Sequence, residues 1–159
     1  MPSVTIISVG KIKEKSIRDA VMEYERRLSR FCTFKSVEIP DRPIPENPHP
    51  ADEAAVLQKE ARDILSKISK SDYVVSLCIE GKKLSSVELA KKMSSAFMQS
   101  SSIVFVIGSS LGLDESVKAA SHMRLSMSDM TFPHNLARLM LSEQVYRAFK
   151  INANETYHK

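Results

Sequence analysis

Apolar positions recur along this chain in two rhythms, and the rhythms alternate. Val4, Ile6, Ile7 and Val9 crowd into Ser3–Val9, a short β-branched run that predicts a strand. Ile17, Val21, Tyr24 and Leu28 then follow at intervals of four, three and four, the spacing of one helix face. Thr33–Ile39 alternates as a strand. Five of the seven prolines (Pro40, Pro43, Pro45, Pro48 and Pro50) fall in the next eleven residues, which predicts an extended, non-helical connection. Ala51–Ile68 predicts a helix with Ala54, Leu57, Ala61, Ile64, Leu65 and Ile68 on its apolar side. Tyr73–Ile79 predicts a strand, with Glu80-Gly81-Lys82 as the turn that ends it. Ser85-Ser86-Val87-Glu88 has capping-box spacing, so a helix begins there and runs to about Met98.

Ile103–Ile107 is five apolar residues in a row, as a central parallel strand covered on both faces requires. Beyond it come a loop from Gly108 to Gly112, a short helix over Asp114–Ala120 and a short strand over Met123–Met127. Pro133 opens a long helix ending near Phe149, and Ile151–Lys159 forms a polar tail. Strands alternating with helices define an α/β domain, with a mainly parallel sheet and helices on both faces. At 159 residues and 17.8 kDa the chain is expected to be one domain over residues 1–159.

Composition narrows the function classes. The net charge of +4 is local: residues 11–35 carry eight basic and four acidic side chains, whereas residues 36–159 carry fifteen of each. Such a bias suits a polyanion-facing edge better than a basic coat. The absence of Trp and an aromatic fraction of 6% argue against a base-stacking surface. Cys32 and Cys78 are isolated, with no Cys-x-x-Cys and no His nearby in sequence, so neither a disulfide framework nor a metal site is expected. Met93–Leu113 is uncharged for 21 residues but contains seven serines, which reads as helix end, loop and buried strand rather than a membrane span. With no secretory pattern in its first residues, the chain is expected to be cytoplasmic.

Sheets of this class bind ligands at loops leaving the carboxyl ends of strands. Three such loops stand out: after Ile79, after Ile107, and Met127–Phe132. The four glycines form neither G-x-G-x-x-G nor a P-loop, which disfavours a dinucleotide site or an NTPase. Gly108-Ser109-Ser110-Leu111-Gly112 permits close backbone approach to a ligand, and equally fits an ordinary strand-to-helix turn. Met127–Phe132 has the apolar and small polar groups to hold a flat heteroaromatic ring, or simply caps the core. His134 opens the last helix as an RNA or substrate contact or as a partly buried residue. Tyr157-His158-Lys159 offers three hydrogen-bonding groups at a terminus, where fraying is usual. The last helix carries two apolar faces: Leu136, Leu139, Met140, Tyr146 and Phe149, then Ala137, Leu141, Val145 and Ala148. One packs on the sheet, and a second copy of the chain would cover the other. Arg18, Arg26, Arg27 and Arg30 on the first helix, after Lys11, Lys13 and Lys15, suit phosphate contact or a solvated face.

Taken in order, Ile6–Lys15, Glu23–Ser29, Ile79–Lys82 with Leu84-Ser85-Ser86, Phe105–Gly108, Leu111–Leu113, Met130–His134, Glu143–Lys150 and Tyr157–Lys159 span nearly the whole chain. Their order and spacing resemble the ribosomal RNA large subunit methyltransferase H family, the 23S rRNA pseudouridine N3-methyltransferases of the SPOUT superfamily. The resemblance implies a C-terminal trefoil knot, an exception to unknotted topology, lying roughly within residues 73–150. It also implies a homodimer and S-adenosyl-L-methionine as methyl donor, with no metal. Cofactor-binding positions carried over are Leu77, Gly108, Met127, Ser128, Asp129, Met130, Thr131 and Phe132. Arg147, Tyr157, His158 and Lys159 become the catalytic candidates, and Arg26, Arg27, Arg30 and His134 the RNA contacts.

Two departures bear on those roles. The family commonly has a second glycine where this chain has Ser109, which costs about 1–2 kcal/mol if that position needs positive φ. Before the Tyr the family often has Arg-Gly-Glu-Pro, whereas Asn152-Ala153-Asn154-Glu155-Thr156 stands here, and a tail lacking that Gly and Pro is expected to be less ordered. Two other functions stay open at this level: a silent RNA- or ribosome-binding module, and a SPOUT methyltransferase acting on tRNA.

Overall fold

The computed structural model describes residues 1–159. Its elements are β1 (Ser3–Val9), α1 (Lys15–Leu28), β2 (Thr33–Ile39), α2 (Pro50–Leu65), β3 (Tyr73–Lys83), α3 (Ser86–Gln99), β4 (Ser102–Ile107), α4 (Glu115–Ala119), β5 (Met123–Ser126) and α5 (His134–Asn152). The strands form one sheet in the order β2-β1-β4-β3-β5, and every pairing is parallel. β4 lies at its centre because its side chains are apolar on both faces. Ile103, Phe105 and Ile107 enter a core shared with Val4, Ile6 and Val75 and closed by α1, α3 and α5. Val104 and Val106 enter a second core with Ile7 and Val9, closed by α2 and α4.

Local chemistry sets the helix starts. Ser85 Oγ accepts from the Glu88 amide (3.1 Å) while Glu88 Oε1 accepts from the Ser85 amide (2.9 Å), so the capping box forms as the spacing predicts. Asp114 caps α4 more simply, its side chain accepting from Ser116 N–H with no return bond.

Three expectations are corrected. Glu80-Gly81-Lys82 does not end a strand: β3 continues to Lys83, with Leu77 and Lys82 both aligned on Leu125. The intervening residues loop out and return, which is possible because Gly81 presses on the next strand. A methyl group there would lie 2.8 Å from backbone atoms of Arg124 and Leu125. The buried stripe of α2 is Val56, Glu60, Ala61 and Ile64, while Ala54 is exposed, so a carboxylate sits where the apolar pattern shows only neighbours. The last helix runs to Asn152 rather than stopping near Phe149.

A buried charge fixes the start of α5. Arg138 is 7% exposed; its Nη1 donates to Glu38 Oε2 (3.0 Å) and its Nη2 to Ser36 Oγ on β2. Glu25 of α1 faces the same guanidinium. Burial pushes the Glu25 carboxyl above its ordinary value, against the opposing pull of Arg138.

The tail is ordered despite its departures from the family pattern. Asn154 takes the left-handed position after the helix (φ 56°), a place glycine usually fills and asparagine tolerates. Glu155 then binds Lys150 Nζ (2.6 Å) and Arg30, and Asn152 Nδ2 donates to the Ala90 carbonyl (3.0 Å). These contacts replace the stiffness that Gly and Pro would supply.

Candidate active site

Side chains of α1, α3, α5 and the end of β5 enclose an open cavity of about 640 Å³, its walls including Tyr24, Leu84, Leu125, Met127, Met140 and Glu143. Ser86 Oγ donates to Gln144 Oε1 (2.6 Å) across one side. The mouth is apolar with a single carboxylate, which suits a flat, partly polar ligand.

Glu143 organises that edge. Arg147, one turn along α5, donates to Glu143 Oε1 from Nε (2.9 Å) and Nη2 (2.5 Å), and Tyr157 Oη donates to the same oxygen (3.2 Å). Arg147 Nη1 lies 3.1 Å from His158 Nδ1; since guanidinium only donates, Nδ1 accepts and the proton of a neutral ring sits on Nε2. Arg147 also stacks over the Tyr157 ring at 4.8 Å, and Tyr146 meets that ring edge-on at 5.1 Å. Burial first, then the Glu143 charge, pushes the Tyr157 phenol up to about 12, so it remains a donor at neutral pH. Arg147, Tyr157 and His158 are thus brought together, while Lys159 lies exposed beside them. Glu143 escaped the sequence argument, although its four-residue spacing from Arg147 on a helix is a readable signal.

One strand-end loop begins at the cavity that Glu143 also lines. Met127 lines the cavity, and Met127–Phe132 leads directly into α5. The amides of Ser128, Asp129, Thr131 and Phe132 donate to no other group of the chain, whereas that of Met130 is held by Ser128 Oγ (3.1 Å). Lys83 Nζ binds Asp129 Oδ2 (2.6 Å), tying the loop to the returning end of β3. Leu77 pairs with Leu125 at the root of the loop. Gly108 sits in a turn so tight that a methyl group there would lie 2.6 Å from the Gly112 carbonyl carbon. Ser109 carries no strain, because the only non-glycine residues with positive φ are Asn47 and Asn154.

The basic residues of this edge are partly engaged, and Arg30, expected on the first helix, lies in the turn after α1 ends at Leu28. Arg26 and Arg27 share Glu23, whose carboxyl they hold down at about 2, and Arg30 pairs with Glu155. Arg27 also lies over the Tyr24 and Tyr146 rings. His134 is the first residue of α5 and half-buried. Of the two apolar faces of α5, Leu141, Val145 and Ala148 enter the core as expected. On the other face, Tyr146 is met by Tyr24 and Phe31, and Phe149 by Phe31 and Phe97, all of the same chain. Leu136 remains 38% exposed. No cluster of three or more His, Cys, Asp or Glu side chains is arranged to hold a metal ion, and no helix is long and apolar enough to cross a membrane.

The fold and this end of the sheet define a SPOUT methyltransferase: residues 3–158 match the family model described as "Predicted SPOUT methyltransferase". Two solved structures share the fold: a probable methylase family protein from Haemophilus influenzae (TM-score 0.58, 14% identity, 98% of this chain and 70% of that one) and the tRNA (m1G37) methyltransferase from Aquifex aeolicus (TM-score 0.55, 17% identity, 92% and 70%). Far closer in sequence are the ribosomal RNA large subunit methyltransferase H of Clostridioides difficile (46% identical over 158 residues) and that of Streptococcus thermophilus (45% over 157). A Methanococcus vannielii protein provisionally given the same name is 49% identical over 158 residues. Each alignment covers at least 98% of this chain and 99% of the relative. The chain belongs to the ribosomal RNA large subunit methyltransferase H family of SPOUT methyltransferases.

Proposed function

We propose that this enzyme transfers a methyl group from S-adenosyl-L-methionine to N3 of a pseudouridine in 23S rRNA, on the assembled ribosome. The observation that carries this reading is the junction of two features at one cavity. Met127, which begins a loop with four unengaged amides, and Glu143, which orders Arg147 and Tyr157, line the same cavity. The donor fits the residues present. Free N–H groups in Ser128–Phe132 suit the edge of its adenine, the Leu77 and Met127 side chains its faces, and the Gly108 turn allows close approach of backbone. Asp129, Met130 and Thr131 complete that loop.

When bound, the donor supplies a methyl group on a sulfonium, already activated for transfer. The protein's part is then alignment and exclusion of water. Tyr157, its hydroxyl donating to Glu143, orients the target base by accepting from a base N–H. Arg147 presents fixed positive charge where N3 gives its proton to solvent water, stabilising the anionic base, and Lys159 adds a second cation. His158 faces the same base with its ring orientation set by Arg147. Glu143 keeps Arg147 and Tyr157 in register. Arg26, Arg27, Arg30 and His134 contact rRNA phosphate, and the small surface favours reading ribosome shape over sequence. A second copy covers the exposed part of α5, the trefoil knot holds the donor loops, and the enzyme works in the cytoplasm.

The test is methyl transfer from labelled S-adenosyl-L-methionine to ribosomes that lack the modification, with free large subunits and tRNA alongside. Label mapped to a 23S rRNA pseudouridine supports the assignment. Label on tRNA alone, or none on any RNA despite donor binding, overturns it.

A further inference from the structure

Glu60 has no part in the site described so far, yet it is among the most buried polar residues of the chain, 2% exposed on the sheet-facing side of α2. Its one hydrogen bond is with the turn after β4: Ser109 Oγ donates to Glu60 Oε1 (3.0 Å). The same Ser109 oxygen accepts from the Leu111 amide (3.3 Å), and the turn closes with Gly112 N–H on the Ser109 carbonyl (2.9 Å). One hydroxyl therefore receives the turn from above and hands it to a helix below. Burial pushes the Glu60 carboxyl above its ordinary value, and the Ser109 hydroxyl pulls it back. Asp41 and Asp63 add to the rise, while Arg42 opposes it.

A carboxylate buried against a sheet is costly unless its bonds secure something. Here it secures five residues whose conformation is already constrained. Gly112 is left-handed (φ 86°), and Gly108 leaves no room for a side chain against the Gly112 carbonyl. Leu113, directly after the turn, is buried in the second core, so the far end is pinned as well. The Ser109–Glu60 bond sets the near end.

We propose that Glu60 is a positioning residue for the methyl-donor site, acting through Ser109 to hold the Gly108–Gly112 turn in its ligand-ready shape. This rests on the assignment of Gly108 to the donor site. Because the link is a hydrogen bond accepted by a carboxyl oxygen, an amide at position 60 keeps it and a methyl group does not. Glu60 and Ser109 also act as one unit, so losing both costs no more than losing either.

The experiment is calorimetric titration of S-adenosyl-L-homocysteine and S-adenosyl-L-methionine into the full chain, with thermal unfolding of each variant. Glu60→Ala and Ser109→Ala are expected to weaken binding about five- to tenfold each, the double variant no more than either, and Glu60→Gln less than about twofold. Ser109 is half-exposed, so its variant keeps the test alive if Glu60→Ala fails to fold. Unchanged affinity in Ser109→Ala, or a double variant in which the two losses multiply, overturns the positioning role even where melting temperature falls. Failure of the unaltered chain to bind either compound overturns the donor-site assignment and this proposal together.

Discussion

Replacing Arg138 by Met tests whether one buried charge bolts α5 to the edge of the sheet. Met matches the aliphatic stem and removes the guanidinium, so the loss is electrostatic rather than a cavity. Two hydrogen bonds go: the charge-assisted one to Glu38, worth about 1 kcal/mol after discounting for that side chain's partial exposure, and the one to Ser36, worth about 1–1.5 kcal/mol. Glu25, already raised by burial, also loses the cation that opposes the rise, at a further cost of about 1 kcal/mol. The sum is about 3 kcal/mol, or a fall in Tm of about 6–12 °C for a chain of this size. The sign with pH follows from the carboxyl. A Glu whose folded pKa is raised favours the fold at low pH, and that support is lost as pH rises through the folded value. Removing Arg138 raises Glu25 further, so the deficit should be larger at about pH 7.5 than at about pH 5. Differential scanning calorimetry at both pH values is the assay. A Tm change under about 2 °C at neutral pH, or a deficit that grows on acidification, would refute the argument.

Gly81→Ala should cost about 1–3 kcal/mol, seen as an urea midpoint shift, because the added methyl meets the backbone of Arg124 and Leu125 rather than a movable side chain. Arg147→Lys removes the two-pronged grip on Glu143 and the stacking over Tyr157, and should lower kcat at least about tenfold with donor affinity unchanged. With the Tyr157 phenol at about 12, the pH–rate profile should show no loss from phenol ionisation between about pH 7 and pH 10. Glu23→Gln frees Arg26 and Arg27 and should tighten ribosome binding while steepening its salt dependence, whereas alanine at Arg26, Arg27 and Arg30 together should weaken it.

Where a local rule decides, the amino-acid pattern is enough. Ser85 and Asp114 cap helices through their own side chains, and the unbroken apolar run of β4 admits no place but the centre of a parallel sheet. Where the outcome depends on residues far apart, the pattern misleads. Glu80-Gly81-Lys82 has turn composition, but β5 lies near enough to recapture the strand, and only the approach of Gly81 to that backbone reveals it. Glu60 and Arg138 occupy buried positions on their helices while looking like surface residues, since their partners Ser109, Ser36 and Glu38 lie 49 to 102 residues away. The candidate site was legible through its strand-end loops and its Tyr157-His158 pair, which packs on α5 rather than fraying. Glu143, the acceptor that joins that pair to Arg147, was not singled out.

The central seat of β4 has a consequence for how the chain reaches this shape. β1 pairs with β2 on one side, but its other edge waits for Ser102–Ile107, about a hundred residues later. Closing a loop of that length costs roughly 4 kcal/mol in chain entropy before any contact rewards it. A growing chain therefore carries Val4 and Ile6 on an unpaired strand edge for most of its synthesis, a template for wrong partners. Folding of this chain should therefore depend on a late, long-range event, the insertion of β4 between β1 and β3.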